Sequence, residues 1–197
     1  VFNHNRLSII GDELNGIQPC VRNGNILLFN GEIYNYKYLQ KILASYGVKL
    51  KTNSDTEVIL ELFGIFKEDC LKHLKGMFSF VIWDHREKQA FAARDPYGIK
   101  PLYIGLSNYG VILASQVKAI TATKLISDEV DVIGQFQFWT LGSINEPNTW
   151  YKNIRSLEAG HYCWIKDNKV QTIKSWCQIS QYWKYGDSKH DFDLTHV

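Results

Sequence analysis

The chain has 197 residues, 45% of them hydrophobic and 21% charged, with a formal net charge of +2. That is enough apolar material for one large domain with a substantial core, and the charge, spread without a basic block, gives no reason to propose nucleic acid or a membrane surface as partner. No apolar run approaches a membrane span, Val1-Phe2-Asn3-His4 lacks a signal-peptide pattern, and Cys20, Cys70, Cys163 and Cys177 form no CxxC pair or disulfide framework, so free thiols in a reducing, cytoplasmic compartment are expected.

In chain order, His4 to Ile10 reads as a strand with Leu7 and Ile9 on one face. Gly11 to Gly24 is polar and turn-rich. Ile26 to Phe29 is an unbroken apolar run, as in a strand covered on both faces, and Asn30-Gly31 breaks it as a turn. Asn35 can cap a helix from about Tyr36 to Tyr46, where Leu39, Ile42, Leu43 and Tyr46 recur at helical spacing before Gly47. A strand is expected over Val48 to Thr52. Ser54 and Glu57 then have capping-box spacing and open a helix running through Val58, Leu62 and Phe66. A short helix follows over Cys70 to Lys75.

Met77 to Trp83 is a strand apolar on both faces. Asp84 to Lys88 turns the chain, and Gln89 to Arg94 returns. Pro101 to Leu106 and Val111 to Ser115 make a second hairpin. Helical segments follow at Gln116 to Thr121 and Asp131 to Thr140. Gly160 to Lys166 and Val170 to Ser175 form a last hairpin around Asp167-Asn168. From residue 178 polar and aromatic residues mix without period, as in a linker. Strands and helices come in separate blocks, which favours α+β over a doubly wound sheet.

The stretch Phe29-Asn30-Gly31-Glu32 carries the strongest chemical suggestion. A carboxamide and backbone N–H groups at a strand end suit a developing negative charge, and a glycine lets another molecule approach closely. As a bare dipeptide, Asn-Gly is more often only a turn.

Phe29-Asn30-Gly31-Glu32-Ile33-Tyr34-Asn35 resembles the signature of class II glutamine amidotransferase domains, those of asparagine synthetase in particular. Four more strings agree in family order: Arg6 to Ile9, Ser54 to Val58, Gly76 to Phe80, and Arg94 to Tyr103. Ala159-Gly160-His161 resembles a late family segment. The resemblance covers about the first 165 residues. It implies the N-terminal-nucleophile hydrolase architecture, a four-layer αββα fold with two stacked antiparallel sheets, here expected to be incomplete at its N-terminus. It also implies a domain over residues 1–177 and a linker over 178–197 toward a C-terminal synthetase domain of the same polypeptide.

Splitting a glutamine amide needs a nucleophile, a proton shuttle, an oxyanion hole and a clamp for the amino-acid end. In the resembling family an N-terminal cysteine, preceding the Arg6 segment by several dozen residues, supplies the first two. No residue here matches it, so the chain as it stands is not expected to hydrolyse glutamine. Asn30 and Gly31 match the oxyanion donors. Arg6 matches the arginine that grips the α-carboxylate, and Glu32 and Asp55 match residues near the substrate's amino group. Each has a plainer reading: Arg6 as a solvated strand residue, Glu32 as an exposed residue beside a turn, Asp55 as a partner of the helix dipole. Arg94-Asp95 reads as a structural ion pair or an interdomain contact, and Cys20 matches a packing position. Gln116 departs from the family's glutamate.

The six histidines show no metal-ligand spacing, and no metal is expected. No Ser-Gly-Gly-x-Asp-Ser loop occurs, so ATP and Mg belong to the expected synthetase domain and not to this chain. L-Glutamine is the implied substrate, and association into a homodimer is left open. Two other readings stand beside the enzyme: a non-catalytic support domain, as in β-lactam synthetases, and a remnant that binds glutamine or a protein partner.

Overall fold

The computed structural model describes residues 18–178. The long apolar runs all become interior strands of one antiparallel sheet. Its strands are β1 (Cys20–Arg22), β2 (Asn25–Ile33), β3 (Gly76–Asp84), β4 (Gln89–Arg94), β8 (His161–Lys166) and β9 (Lys169–Ser175), in the order β1-β2-β3-β4-β8-β9. A smaller antiparallel sheet has the order β6-β5-β7, from β5 (Tyr103–Ser107), β6 (Gly110–Ala114) and β7 (Ile154–Ser156).

Side-chain alternation sorts the large sheet into two apolar faces. Leu27, Phe29 and Ile33 of β2, Phe78, Phe80 and Ile82 of β3, and Phe91 of β4 pack beneath helices α1 (Tyr36–Ser45) and α2 (Asp55–Phe66). Leu39 and Leu43 of α1 and Val58, Leu62 and Phe63 of α2 complete that core. Phe91 stands 5.3 Å from Phe63 and 4.8 Å from Trp164, ring centre to ring centre. Burying each such phenylalanine stabilises the fold by about 1.5–3 kcal/mol.

The opposite face of the large sheet, with Val81, Ala92, Cys163 and Ile165, meets Ile104 of the small sheet and Leu102 just before it. The outer face of the small sheet is covered by α3 (Val117–Ala122) through Ile120, with Ile126 and Ile154. The result is helices, sheet, sheet, helix. The expected α+β, four-layer αββα architecture is what the chain adopts.

Several local expectations are corrected. The strand does not stop at Asn30. It runs on to Ile33, and Gly31 pairs with Phe78 inside the β2–β3 ladder. Residues 48–52 make no strand, because the Lys51 and Thr52 N–H groups turn inward to the Glu57 carboxylate at 2.8 and 2.6 Å. Half of the capping box forms: Ser54 Oγ accepts from the Glu57 N–H at 3.2 Å, while the Glu57 carboxylate serves the preceding loop. Asn35 holds the N-cap position of α1 without capping it. Its carboxamide donates to His73 C=O and accepts from Lys75 N–H, both at 3.0 Å, and so fastens α1 to the chain entering β3. The short helix near Cys70 is a 3-10 turn over Lys67–His73. The expected strand at residues 4–10 lies outside the described residues.

Candidate active site

Three residues of the candidate site are consecutive in β2, and the ladder decides where each points. Asn30 and Glu32 lie on the face turned away from α1 and α2, about 7 Å apart along the strand. Both are half-buried. The Asn30 Nδ2 reaches Ser115 Oγ, just past the end of β6, at 3.4 Å. This long bond leaves most of the carboxamide's donor capacity unspent.

The direction of the Gly31 N–H follows from its neighbours. Phe78, paired with Gly31, accepts the Asp95 N–H at 2.8 Å and donates its own N–H to Asp95 Oδ2 at 3.2 Å. Both main-chain groups of Phe78 therefore face away from β2, and Gly31↔Phe78 is a non-hydrogen-bonded pair. By alternation the Gly31 N–H points out of the β1 side of β2. On that same edge the Phe29 N–H is taken by Gln18 Oε1 at 2.6 Å, and the Ile33 N–H by Asp55 Oδ2 at 3.2 Å. Gly31 thus presents its N–H between two neighbours whose own N–H groups are satisfied, next to the Asn30 carboxamide.

Gly31 has to be a glycine here. Its φ is +150°, and a Cβ would stand 2.1 Å from the Met77 carbonyl oxygen and 2.7 Å from Phe78 Cα. Gly76, diagonally across the pair, is under the same constraint: its Cβ would lie 2.1 Å from the Glu32 oxygen. Two backbones pinched this closely hold the Gly31 peptide in one orientation.

Asp55 is the first residue of α2, after the Ser54 cap. Its bond to Ile33 N–H brings this helix start to the end of β2, one residue beyond Glu32. Asn30, Gly31, Glu32 and Asp55 therefore gather at one corner. Arg6 lies outside the described residues.

A buried polar cluster backs this corner. Glu57, 2% exposed, accepts from Arg22 and from the Thr52 hydroxyl as well as from the Lys51 and Thr52 N–H groups. Burial opposes its charge, but these donors outweigh burial and hold the carboxyl below its ordinary range. Arg22 also meets Glu61 at 3.0 Å. The sequence reading missed Gln18, Arg22 and Glu61. None of the three carries a local signal for the distant partner it finds: Phe29 for Gln18, Glu57 for Arg22, Arg22 for Glu61.

Arg94-Asp95 is a structural hub and not an ion pair with itself. Asp95, fully buried, accepts N–H groups from Tyr97, Ile99, Lys100 and Phe78. The Arg94 guanidinium binds Gly98, Lys100 and Leu157 carbonyls, Ser156 Oγ and the Glu146 carboxylate.

None of the four cysteines is set up as a nucleophile. Burial pushes the Cys163 thiol up to about 12 and Cys70 higher still. Cys20 and Cys177 are also raised by burial, Cys20 further by the Glu57 charge. All four are free. Among the described residues no group of three His, Cys, Asp or Glu side chains could hold a metal ion, and no helix is long and apolar enough to cross a membrane.

Two antiparallel sheets stacked between helices, with Asn30, Gly31, Glu32 and Asp55 at the end of an interior strand, have the fold of the N-terminal-nucleophile hydrolases. The fold matches glutamine phosphoribosylpyrophosphate amidotransferase from B. subtilis, solved with ADP and GMP, with a TM-score of 0.58 over 83% of this chain and 32% of that one, at 24% identity. The glutamine amidotransferase domain family matches residues 1–183, and the chain belongs to that family. Among curated relatives, asparagine synthetase [glutamine-hydrolyzing] 3 of Bacillus subtilis (strain 168) is 34% identical over 99% of this chain and 32% of its own length. Asparagine synthetase [glutamine-hydrolyzing] 1 of the same organism is 36% identical over 89% of this chain and 28% of its own length. The chain spans about a third of the length of these relatives.

Proposed function

We propose that this chain is the glutamine-binding and glutamine-hydrolysing portion of a longer, asparagine-synthetase-like, ATP-dependent amidotransferase working in a reducing cytoplasm. The observation that carries this reading is the Gly31 N–H, directed out of the β2–β3 ladder and without a partner among the described residues, beside the Asn30 carboxamide. A thiolate adding to the glutamine side-chain carbonyl turns its oxygen into an oxyanion. Gly31 N–H and Asn30 Nδ2–H then donate to that oxygen, fixed in place beforehand by the β2–β3 pinch. The C–N bond breaks, ammonia leaves with the proton it gains, and water hydrolyses the thioester to glutamate.

Glu32 and Asp55, two carboxylates at one corner, attract the substrate's α-ammonium, and Arg6 pairs with its α-carboxylate. The four thiols of this chain are buried or raised, so the nucleophile is an N-terminal cysteine from a preceding segment, as the family resemblance implies. ATP and Mg serve a synthetase region following this one, which receives the ammonia. No metal-holding cluster exists among the described residues, and no step through those groups is assigned to this chain. The glutamine-hydrolysing names of the relatives favour this reading over a purely supporting domain.

The test is a glutamine titration of the nitrogen-15-labelled protein followed by amide NMR. The Gly31 resonance is expected to move, with Asn30 side-chain and Ile33 amide signals moving less. A titration that shifts resonances elsewhere and leaves Gly31 in place overturns the assignment.

A further inference from the structure

Helix α4 (Val132–Leu141) takes no part in the site, and its surface is unlike that of the rest of the domain. It carries no charged residue. Its inward side is fixed: Asp131 caps it by accepting the Gly134 N–H at 2.7 Å, Gly134 lies so close to the Thr149 carbonyl that a Cβ would stand 2.0 Å from it, and the Phe138 ring meets Trp150 at 5.5 Å.

The outward side is apolar as well. Val132, Ile133, Phe136 and Trp139 are 78, 60, 66 and 73% exposed. At 100° per residue they fall in one arc about 120° wide, centred on Phe136 and shared with Thr140, opposite Gly134 and Phe138. An apolar arc of this width is what a surface helix normally turns against a neighbour. At 150–250 Å² per fully exposed aromatic ring, Phe136 and Trp139 alone leave roughly 200–350 Å² in water, and the aliphatic residues add to it. That total approaches or exceeds the largest apolar patch of an ordinary monomer.

We infer that the outward face of α4 is where the synthetase region of the longer polypeptide docks on this domain. This rests on the proposed function, because that reading supplies the second region. Two observations select this occupant. The relatives are about three times as long as this chain, so about two thirds of a matching polypeptide lies outside it and needs a contact surface. The patch, roughly 300–500 Å² on this domain, also fits one side of an interdomain contact within a chain, which buries about 600–1,500 Å² over both sides, and falls short of one side of an obligate dimer interface of 2,000 Å² or more.

The hub described above makes this face rigid. Arg94 holds Glu146, in the loop leaving α4, and Gly98 and Lys100, in the loop that exposes Tyr97 and Ile99 at 71 and 55%. One buried guanidinium therefore ties both loops to the same sheet.

The test places a photo-crosslinking amino acid at position 136 or 139 of the full-length protein, mixes isotope-labelled and unlabelled copies, and maps the crosslinks by mass spectrometry. Crosslinks within one copy to residues beyond 197 are expected. Phe136→Ser with Trp139→Ser should then raise the ammonia lost to solvent per product formed by several-fold, without lowering glutamine hydrolysis itself. Crosslinks to residues 1–197 of a second copy, to residues 179–197 of the same chain, or to nothing would each overturn the inference. Expected crosslinks in a protein that releases no ammonia from glutamine would retain the docking face and remove the reading of the site. Glutamine hydrolysis with crosslinks elsewhere would do the reverse.

Discussion

Replacing Gly31 by alanine tests the pinch that orients the oxyanion donor. The added Cβ would stand 2.1 Å from Met77 O and 2.7 Å from Phe78 Cα, so the strands must part by about 1 Å at a pair whose Phe78 side chain is fully buried. Overpacking of this kind costs about 1–3 kcal/mol, and holding a Cβ-bearing residue at φ +150° costs about 1–3 kcal/mol more. The sum, about 2–6 kcal/mol, corresponds to a fall in Tm of roughly 5–20 °C for a chain of this size.

Gly24→Ala is the control. Gly24 has φ +82° with nothing within 4 Å of the added Cβ, so only the conformational cost of about 1–2 kcal/mol applies. Thermal unfolding by circular dichroism compares the two variants. Gly31→Ala melting no lower than Gly24→Ala would refute the close approach of β2 and β3 and, with it, the fixed direction of the Gly31 N–H.

Two further predictions follow from the titrating groups. Burial opposes the charge of Glu57 and of Asp84, yet their donors (Arg22 and the Lys51–Thr52 groups for Glu57; Lys67 and the Glu87 and Arg86 N–H groups for Asp84) hold both below the ordinary range. Carboxyls depressed in the folded state stabilise it above their unfolded pKa of about 4, and this stability is lost as pH falls through the folded values. The urea midpoint should therefore drop below about pH 4, with a shallower pH slope in Glu57→Gln; an unchanged slope would contradict the sign. For the thiols, iodoacetamide at neutral pH should leave Cys70 and Cys163 unlabelled in the folded protein and label Cys20 and Cys177 slowly, and the 197-residue chain alone should release no ammonia from glutamine. Ammonia release abolished by Cys20→Ala would make Cys20 the nucleophile and overturn the account.

The sequence disclosed those features whose signal is local. Leu39 and Leu43 recur at helical spacing and are buried in α1, and the two-sided apolar run from Met77 to Trp83 became the strand with neighbours on both faces. What it hid depends on distant partners. Asn30-Gly31 looks like a turn because glycine usually marks one, but this glycine answers to Met77 O, 46 positions away in the chain and brought near only by the β2–β3 register. Glu57 looks like the second half of a capping box until Arg22 and the Thr52 loop claim its carboxylate. Arg94 and Asp95 are adjacent and opposite in charge, yet the guanidinium goes to Glu146, 52 residues on. Strands β1 and β7, three residues each, are too short for any alternation to show. In the site, the residue identities at 30, 31, 32 and 55 were legible through the resemblance. That they serve one substrate was implied with them, but the bond by which Asp55 reaches β2, from the Ile33 N–H, was not legible.

The central claim is that Asn30 and Gly31 stabilise the oxyanion of glutamine hydrolysis. Its most direct test is Asn30→Ala in the full-length protein, with ammonia release from glutamine and product formation from supplied ammonia measured side by side. Among the described residues the Asn30 side chain makes one long hydrogen bond, to Ser115, and its ladder pairing is main-chain, so the substitution should leave folding intact. The account predicts a roughly 100- to 1000-fold loss of glutamine hydrolysis, the usual effect of removing one oxyanion donor, with synthesis from ammonia unchanged. Equal loss of both activities, or full retention of glutamine hydrolysis, would contradict it.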